Sequence, residues 1–172
     1  MGAKTKIDWA DATWNPVTGC LHGCKYCYAR RIAERFGSNL MPIFTKYPVL
    51  DKPVRNLGID AGKIQPYPFD FTPTFHRYRL GEPARWTHPR NIFGCSMADL
   101  FGEWVPDEWI DDVIKATQRA LQHRYLFLTK NPERYGEWLE RFEEGRISEL
   151  DKLENCWFGA SASNNAELER AN

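Results

Sequence analysis

Tyr125-Leu126-Phe127-Leu128-Thr129-Lys130-Asn131-Pro132-Glu133-Arg134 joins the end of one element to the start of another. Four apolar residues run without alternation, as in a strand buried on both faces. Asn131 then stands where an N-cap belongs, and Pro132 fits the first helical position. Tyr135, Trp138, Leu139 and Phe142 follow at i, i+3, i+4 and i+7, one stripe of an α-helix. Working outward, the same short apolar run recurs as Asn91-Ile92-Phe93-Gly94-Cys95 and as Cys156-Trp157-Phe158-Gly159-Ala160. A helix starting near Pro106-Asp107, with Ile110, Val113, Ile114 and Leu121 on one face, separates the first two runs. Strand–helix–strand units of about thirty residues imply parallel strands joined by right-handed crossovers, so the expected class is α/β.

Further out the signals are shorter. Ile7-Asp8-Trp9 to Thr13-Trp14 supplies a first strand and Phe71-Thr72-Pro73-Thr74-Phe75 a second, which makes five in all. From Tyr28 a helix is expected, with Ala29, Ile32, Ala33 and Phe36 at helical spacing and Gly37 as its stop; Arg30, Arg31, Glu34 and Arg35 form its solvated face. Residues 38–70 read as an irregular insert, because Pro42, Pro48, Pro53, Pro66 and Pro68 interrupt every apolar run.

In parallel α/β sheets ligands sit at the C-terminal ends of the strands. Ser96 and Asp99 follow the third strand, Thr129-Lys130-Asn131 the fourth, and Ser161, Ser163 and Asn164 the fifth. Asp99 and Lys130 are candidate catalytic groups by this rule; Asp99 equally suits the capture of loop amides, and Asn131 and Asn164 suit helix caps. After the first strand comes Gly19-Cys20-Leu21-His22-Gly23-Cys24-Lys25-Tyr26-Cys27-Tyr28-Ala29. Thiolates spaced C-x3-C-x2-C can turn inward around one centre and hold three corners of a [4Fe–4S] cluster, whose usual complement is four cysteines. The fourth iron is then free to chelate a small molecule. Zinc, completed by His22 or His76, is the competing reading, and the spacing weighs against it because no second cysteine knuckle is present. Cys95 and Cys156 lie within apolar strands and read as core residues.

The chain has 172 residues, enough for one domain, and its 42% apolar content supports a packed core. Its mean hydropathy of -0.58 and the lack of any long apolar run exclude an obvious membrane protein. With 23 basic and 23 acidic residues the net charge is zero, so no strongly basic nucleic-acid surface is indicated, although a local patch is compatible with that balance. An odd number of cysteines and no signal peptide point to a reducing cytoplasm rather than to disulfides.

The cysteine stretch, with aromatic Tyr26 before its last thiol, resembles the signature of the radical S-adenosylmethionine (SAM) superfamily. Within it, Trp14-Asn15-Pro16, Gly19-Cys20, Cys24 and Cys27-Tyr28-Ala29 are similar to a narrower family of phage-encoded and bacterial radical-SAM-like proteins of uncharacterised activity. Ser96-Met97-Ala98-Asp99-Leu100-Phe101, Leu128 to Arg134 and Trp157-Phe158-Gly159-Ala160-Ser161 share the likeness. The resemblance implies a partial (β/α) barrel, a [4Fe–4S] cluster on Cys20, Cys24 and Cys27, and SAM bound near Tyr26, Tyr28, Ser96 and Ser161. It implies cleavage of SAM to a 5'-deoxyadenosyl radical, with an electron donor such as flavodoxin or ferredoxin. A three-cysteine-motif partner protein and an unknown, nucleic-acid-related substrate follow from the same likeness. The chain departs from the superfamily in having no Gly-Gly-Glu stretch after the second strand, where many members hold the SAM amino group. A non-catalytic zinc or cluster module that binds a protein or nucleic acid is the alternative. Residues 1–172 are expected to form a single radical-SAM-like domain, the N-terminal portion of a longer barrel, because the helical segment after Asn164-Asn165 has no stop signal and the fifth strand would be left with an apolar edge.

Overall fold

The computed structural model of the chain describes residues 5–37, 47–56, 61–145 and 153–162. Ser163, Asn164 and the expected terminal helical segment lie outside the described residues.

Among the described residues, seven strands and three α-helices follow in the order β1 (Ala12–Trp14), β2 (Val17–Thr18), α1 (Tyr28–Phe36), β3 (Val49–Leu50), β4 (Thr74–His76), β5 (Asn91–Gly94), α2 (Asp107–Gln118), β6 (Arg124–Thr129), α3 (Glu133–Glu143) and β7 (Cys156–Ala160). The main sheet has four strands in the order β1-β5-β6-β7, and every neighbouring pair is parallel. Mixed α/β architecture around a parallel sheet is therefore present as expected. Trp14, Gly94, Phe127 and Phe158 lie in register across it, and Gly94 leaves the space that the Phe127 ring fills.

Helices α2 and α3 cover one face of this sheet. Ile110, Val113, Ile114 and Trp138 are buried with Trp14, Ile92, Tyr125 and Phe127 in one cluster. Fully burying an aliphatic or aromatic side chain contributes about 1.5–3 kcal/mol each, so this cluster is the main source of stability. Between the two helices, Asp107 accepts from Arg134 and forms an ion pair with Arg141, while Asp111 accepts from the Trp138 indole at 2.9 Å and from Arg141 at 3.0 Å. Asp107 and Glu108 also stand in the first turn of α2, where negative charge complements the helix dipole.

Several expectations are corrected. Phe71–Phe75 does not add a strand to the main sheet. Pro73 offers no donor to a ladder; β4 begins after it and pairs antiparallel with β2 and parallel with β3 in a small second sheet. The parallel sheet thus has four of the five expected strands. The cysteine loop follows the two-residue β2 rather than β1 directly. Within residues 38–70, Val49–Leu50 forms a strand on the small sheet, fitting a proline-rich stretch kept away from any central position. Asn131 is not the N-cap of α3; Pro132 occupies that place, and the Asn131 amide side chain instead donates to the Phe101 carbonyl at 3.1 Å. Leu121 lies beyond α2 and is exposed, as are Ile32 and Phe36 on α1, where Ala29 and Ala33 alone are buried. β6 and β7 are not buried on both faces: Leu128 and Trp157 are exposed on the side away from α2 and α3. Among the described residues no helix is long and apolar enough to cross a membrane.

A candidate metal and cofactor site at the strand ends

Beyond β2 the chain turns at Gly19, whose φ of +86° is left-handed and whose backbone lies so close to the Thr72 carbonyl that a Cβ would collide with it. The Gly19 amide donates to the Met97 carbonyl at 2.9 Å and the Cys20 amide to Phe71 at 3.3 Å, which fixes the base of the cysteine loop between the segments after β5 and before β4. At the far end of the loop, Cys27 is the N-cap of α1 and its Sγ accepts from the Arg30 amide at 3.4 Å.

Cys20, Cys24 and Cys27 line one cavity of about 270 Å³. Tyr26, Tyr28, Ser96, Asp99, Lys130 and Ser161 line it too, whereas Asn131, also at a strand end, does not. Phe71, Phe93 and Leu128 supply apolar wall. Cys95 is buried in the core instead, and Cys156 is half-buried with its thiol 3.3 Å from the Thr117 hydroxyl. His76 does not line the cavity; its Nε2 is 2.8 Å from the Thr18 hydroxyl.

Asp99 is buried and holds four donors on two oxygens. Oδ1 accepts from the Phe101 amide at 3.1 Å and the Thr129 hydroxyl at 2.7 Å; Oδ2 accepts from the Lys130 amide at 2.8 Å and lies 2.7 Å from His22 Nε2. The carboxylate thus captures loop amides, one of the two readings its position allowed, while still lining the cavity. Lys130 reaches the Ser161 carbonyl at 3.2 Å, with its ammonium 6.0 Å from the centre of the Tyr26 ring. Tyr28 donates to the Ser96 carbonyl at 2.6 Å, and burial raises its pKa above that of a free phenol.

Two further residues join the site through contacts that no local pattern in the sequence indicates. Asn15 turns its side-chain oxygen to the Ser96 hydroxyl at 3.1 Å and the Met97 amide at 2.9 Å, shaping the turn after β5. His22, which the sequence suggests only as a zinc ligand, is bonded to Asp99 across 77 residues.

Burial pushes the Cys20 thiol up to about 12; a hydrogen bond with the His22 backbone opposes the rise, and Asp99, Cys27 and Cys24 add to it. A cationic iron–sulfur core would oppose that rise by stabilising the Cys20 thiolate. Among the described residues no group of three or more His, Cys, Asp or Glu side chains is placed to hold a metal ion. A single ion needs its ligands drawn to one point, whereas a cubane gives each thiolate its own iron and needs three thiols facing a common space. Cys20, Cys24 and Cys27 line one such common space.

A protein-family model described as "Protein of unknown function (DUF5131)" matches residues 4–172. No curated protein and no solved structure matches the chain.

Proposed function

We propose that this chain, which belongs to the DUF5131 family, is an iron–sulfur enzyme of the radical SAM type. The observation that carries the reading is that three cysteines of one loop share a cavity with the residues at the C-terminal ends of parallel strands β5, β6 and β7. Cys20, Cys24 and Cys27 would hold a [4Fe–4S] cluster, leaving one iron for SAM. When bound, such a cluster with SAM supplies reductive cleavage to a 5'-deoxyadenosyl radical.

The chain's own residues bind, orient and shield. Tyr26 and Tyr28 offer ring faces to a flat group such as adenine, with Tyr28 held in place by its bond to the Ser96 carbonyl. Ser96, Thr129 and Ser161 line the cavity, and Lys130 brings a positive charge suited to a carboxylate. Phe71, Phe93 and Leu128 supply apolar wall that would shield the reacting atoms. The four-stranded parallel sheet is read as part of a partial (β/α) barrel with this cavity at its mouth. The substrate class and an external electron donor belong to the same proposal.

Anaerobic reconstitution with iron and sulfide tests it. The expected product is a brown protein with about four irons and four sulfides per chain, which forms 5'-deoxyadenosine from SAM once reduced. A colourless, folded protein carrying stoichiometric zinc would overturn the reading in favour of a binding module.

A further inference from the structure

We propose that His22 is a positioning residue: its imidazole, bonded to the buried Asp99 carboxylate, holds the middle of the cysteine loop against the ends of β5 and β6. The functional meaning rests on the cluster reading, but the bond and its effect on the loop do not.

Three of the four groups around Asp99 settle the direction of the fourth bond. The Phe101 and Lys130 main-chain amides can only donate. The Thr129 hydroxyl accepts from the Asn131 amide at 3.0 Å, which leaves its own proton for Oδ1. With both oxygens already accepting, the carboxylate takes a fourth bond as acceptor, and His22 Nε2 is the donor at 2.7 Å. Asp99 is only 5% exposed, so this is a charge-assisted bond shielded from water, among the stronger kinds. The Trp104 ring meets the imidazole edge-on with centroids 4.8 Å apart and limits its swing.

The place of His22 in the loop gives the bond its consequence. Gly19 and Cys20 are fixed by main-chain bonds, and Cys27 is fixed as the cap of α1. Between these anchors Leu21 and Tyr26 are exposed, and Gly23 turns through a left-handed φ of +68° with open space around it. His22 reaches inward from this stretch, two residues from each of Cys20 and Cys24. Because Asp99 also binds Thr129 and Lys130, the bond ties two thiols of the site to the end of β6, where Lys130 and Ser161 approach the cavity.

Two substitutions separate positioning from other roles of the ring. The amide nitrogen of glutamine falls near the place of Nε2 and can keep the bond, whereas asparagine is too short to reach. In metal-free protein, per-cysteine alkylation followed by mass spectrometry should show Cys20 and Cys24 reacting about tenfold faster in His22→Asn than in the wild type, the loss expected for one hydrogen bond to a charged group. His22→Gln should stay within about threefold of the wild type, and Cys95 and Cys156 should react at unchanged rates in both. In reconstituted protein, His22→Asn should lose iron to a chelator faster by the same order and alter the electron paramagnetic resonance spectrum of the reduced cluster, while His22→Gln keeps both. Equal behaviour of Gln and Asn overturns the inference, as does a parallel rise at Cys95 and Cys156, which would mean general loosening. If the alkylation contrast holds in a protein that binds no iron, the positioning role stands and the cluster reading falls. If the wild type holds a stable cluster and the contrast is missing, the cluster reading stands and the positioning role falls.

Discussion

His76 is fully buried, with Nε2 on the Thr18 hydroxyl and Nδ1 lacking a hydrogen-bond partner. Burial, reinforced by nearby Arg79, lowers its pKa from 6.5 to about 2. The unfolded chain therefore takes up a proton below pH 6.5 that the folded chain refuses, so the stabilising effect of a neutral His76 is complete above that pH and declines as pH falls toward 2. His76→Gln, which can keep the bond to Thr18, removes the penalty. Between pH 7 and pH 5 the wild type should lose about 2 kcal/mol relative to this variant in urea unfolding, and parallel losses in the two proteins would refute the assignment. Thr18 immediately precedes Gly19, so acid loosening here would also free the base of the cysteine loop. The thiols themselves divide by location. Cys20→Ala, Cys24→Ala and Cys27→Ala should each abolish stable iron binding, since a three-ligand site has no spare. Cys95→Ala and Cys156→Ala, outside the cavity, should keep their iron and lose about 1 kcal/mol of stability. Iron loss in Cys95→Ala as complete as in Cys24→Ala would mean four protein ligands and no open iron.

At the scale of the element, the cysteine loop contains two left-handed glycines with different reasons for being glycine. Gly19 combines positive φ with close approach to the Thr72 carbonyl, whereas Gly23 has positive φ and empty space. Gly23→Ala should cost about 1 kcal/mol and keep the loop's three thiols in place. Gly19→Ala must shift backbone as well, and should cost several times as much and reduce iron retention. Thermal melts and iron content of the two variants check this, and equal losses would show that the close approach does not matter. The loop was legible because its three thiols sit within eight residues. β5, β6 and β7 were legible as unbroken apolar runs, and α2 and α3 by their periodicity. β4 was not, because Phe71-Thr72-Pro73-Thr74-Phe75 carries no mark of which sheet will receive it, and Pro73 moved its start. Asn131 resembled a cap in its local context, but its amide side chain is taken by the Phe101 carbonyl, thirty residues away in sequence. The His22–Asp99 bond spans 77 residues, a distance over which no local periodicity or capping rule carries information.

In the whole molecule the two faces of the parallel sheet meet different surroundings, though β6 and β7 read as uniformly apolar. Trp138 of α3 is buried against one face, with its ring 6.3 Å from Phe101 and its indole donating to Asp111. On the other face Trp157 is 59% exposed, beside a hollow of about 390 Å³ that Trp9, Leu126 and Leu128 also line. Leu128 lines the thiol cavity as well, so this apolar surface runs up to the candidate site. An unbroken apolar strand is the pattern of burial on both sides, and exposure of such a surface costs solubility rather than folded-state contacts. Substitutions at the two tryptophans should therefore differ in kind. Trp138→Ala opens a cavity in the core and should cost about 3–5 kcal/mol in urea unfolding. Trp157→Lys should change stability by about 0.5 kcal/mol or less, while lowering the accessibility of tryptophan fluorescence to acrylamide by removing an exposed indole. Should Trp157→Lys destabilise the fold as severely as Trp138→Ala, the Trp157 side of the sheet would have to be packed in the folded protein, and a one-sided core would be wrong.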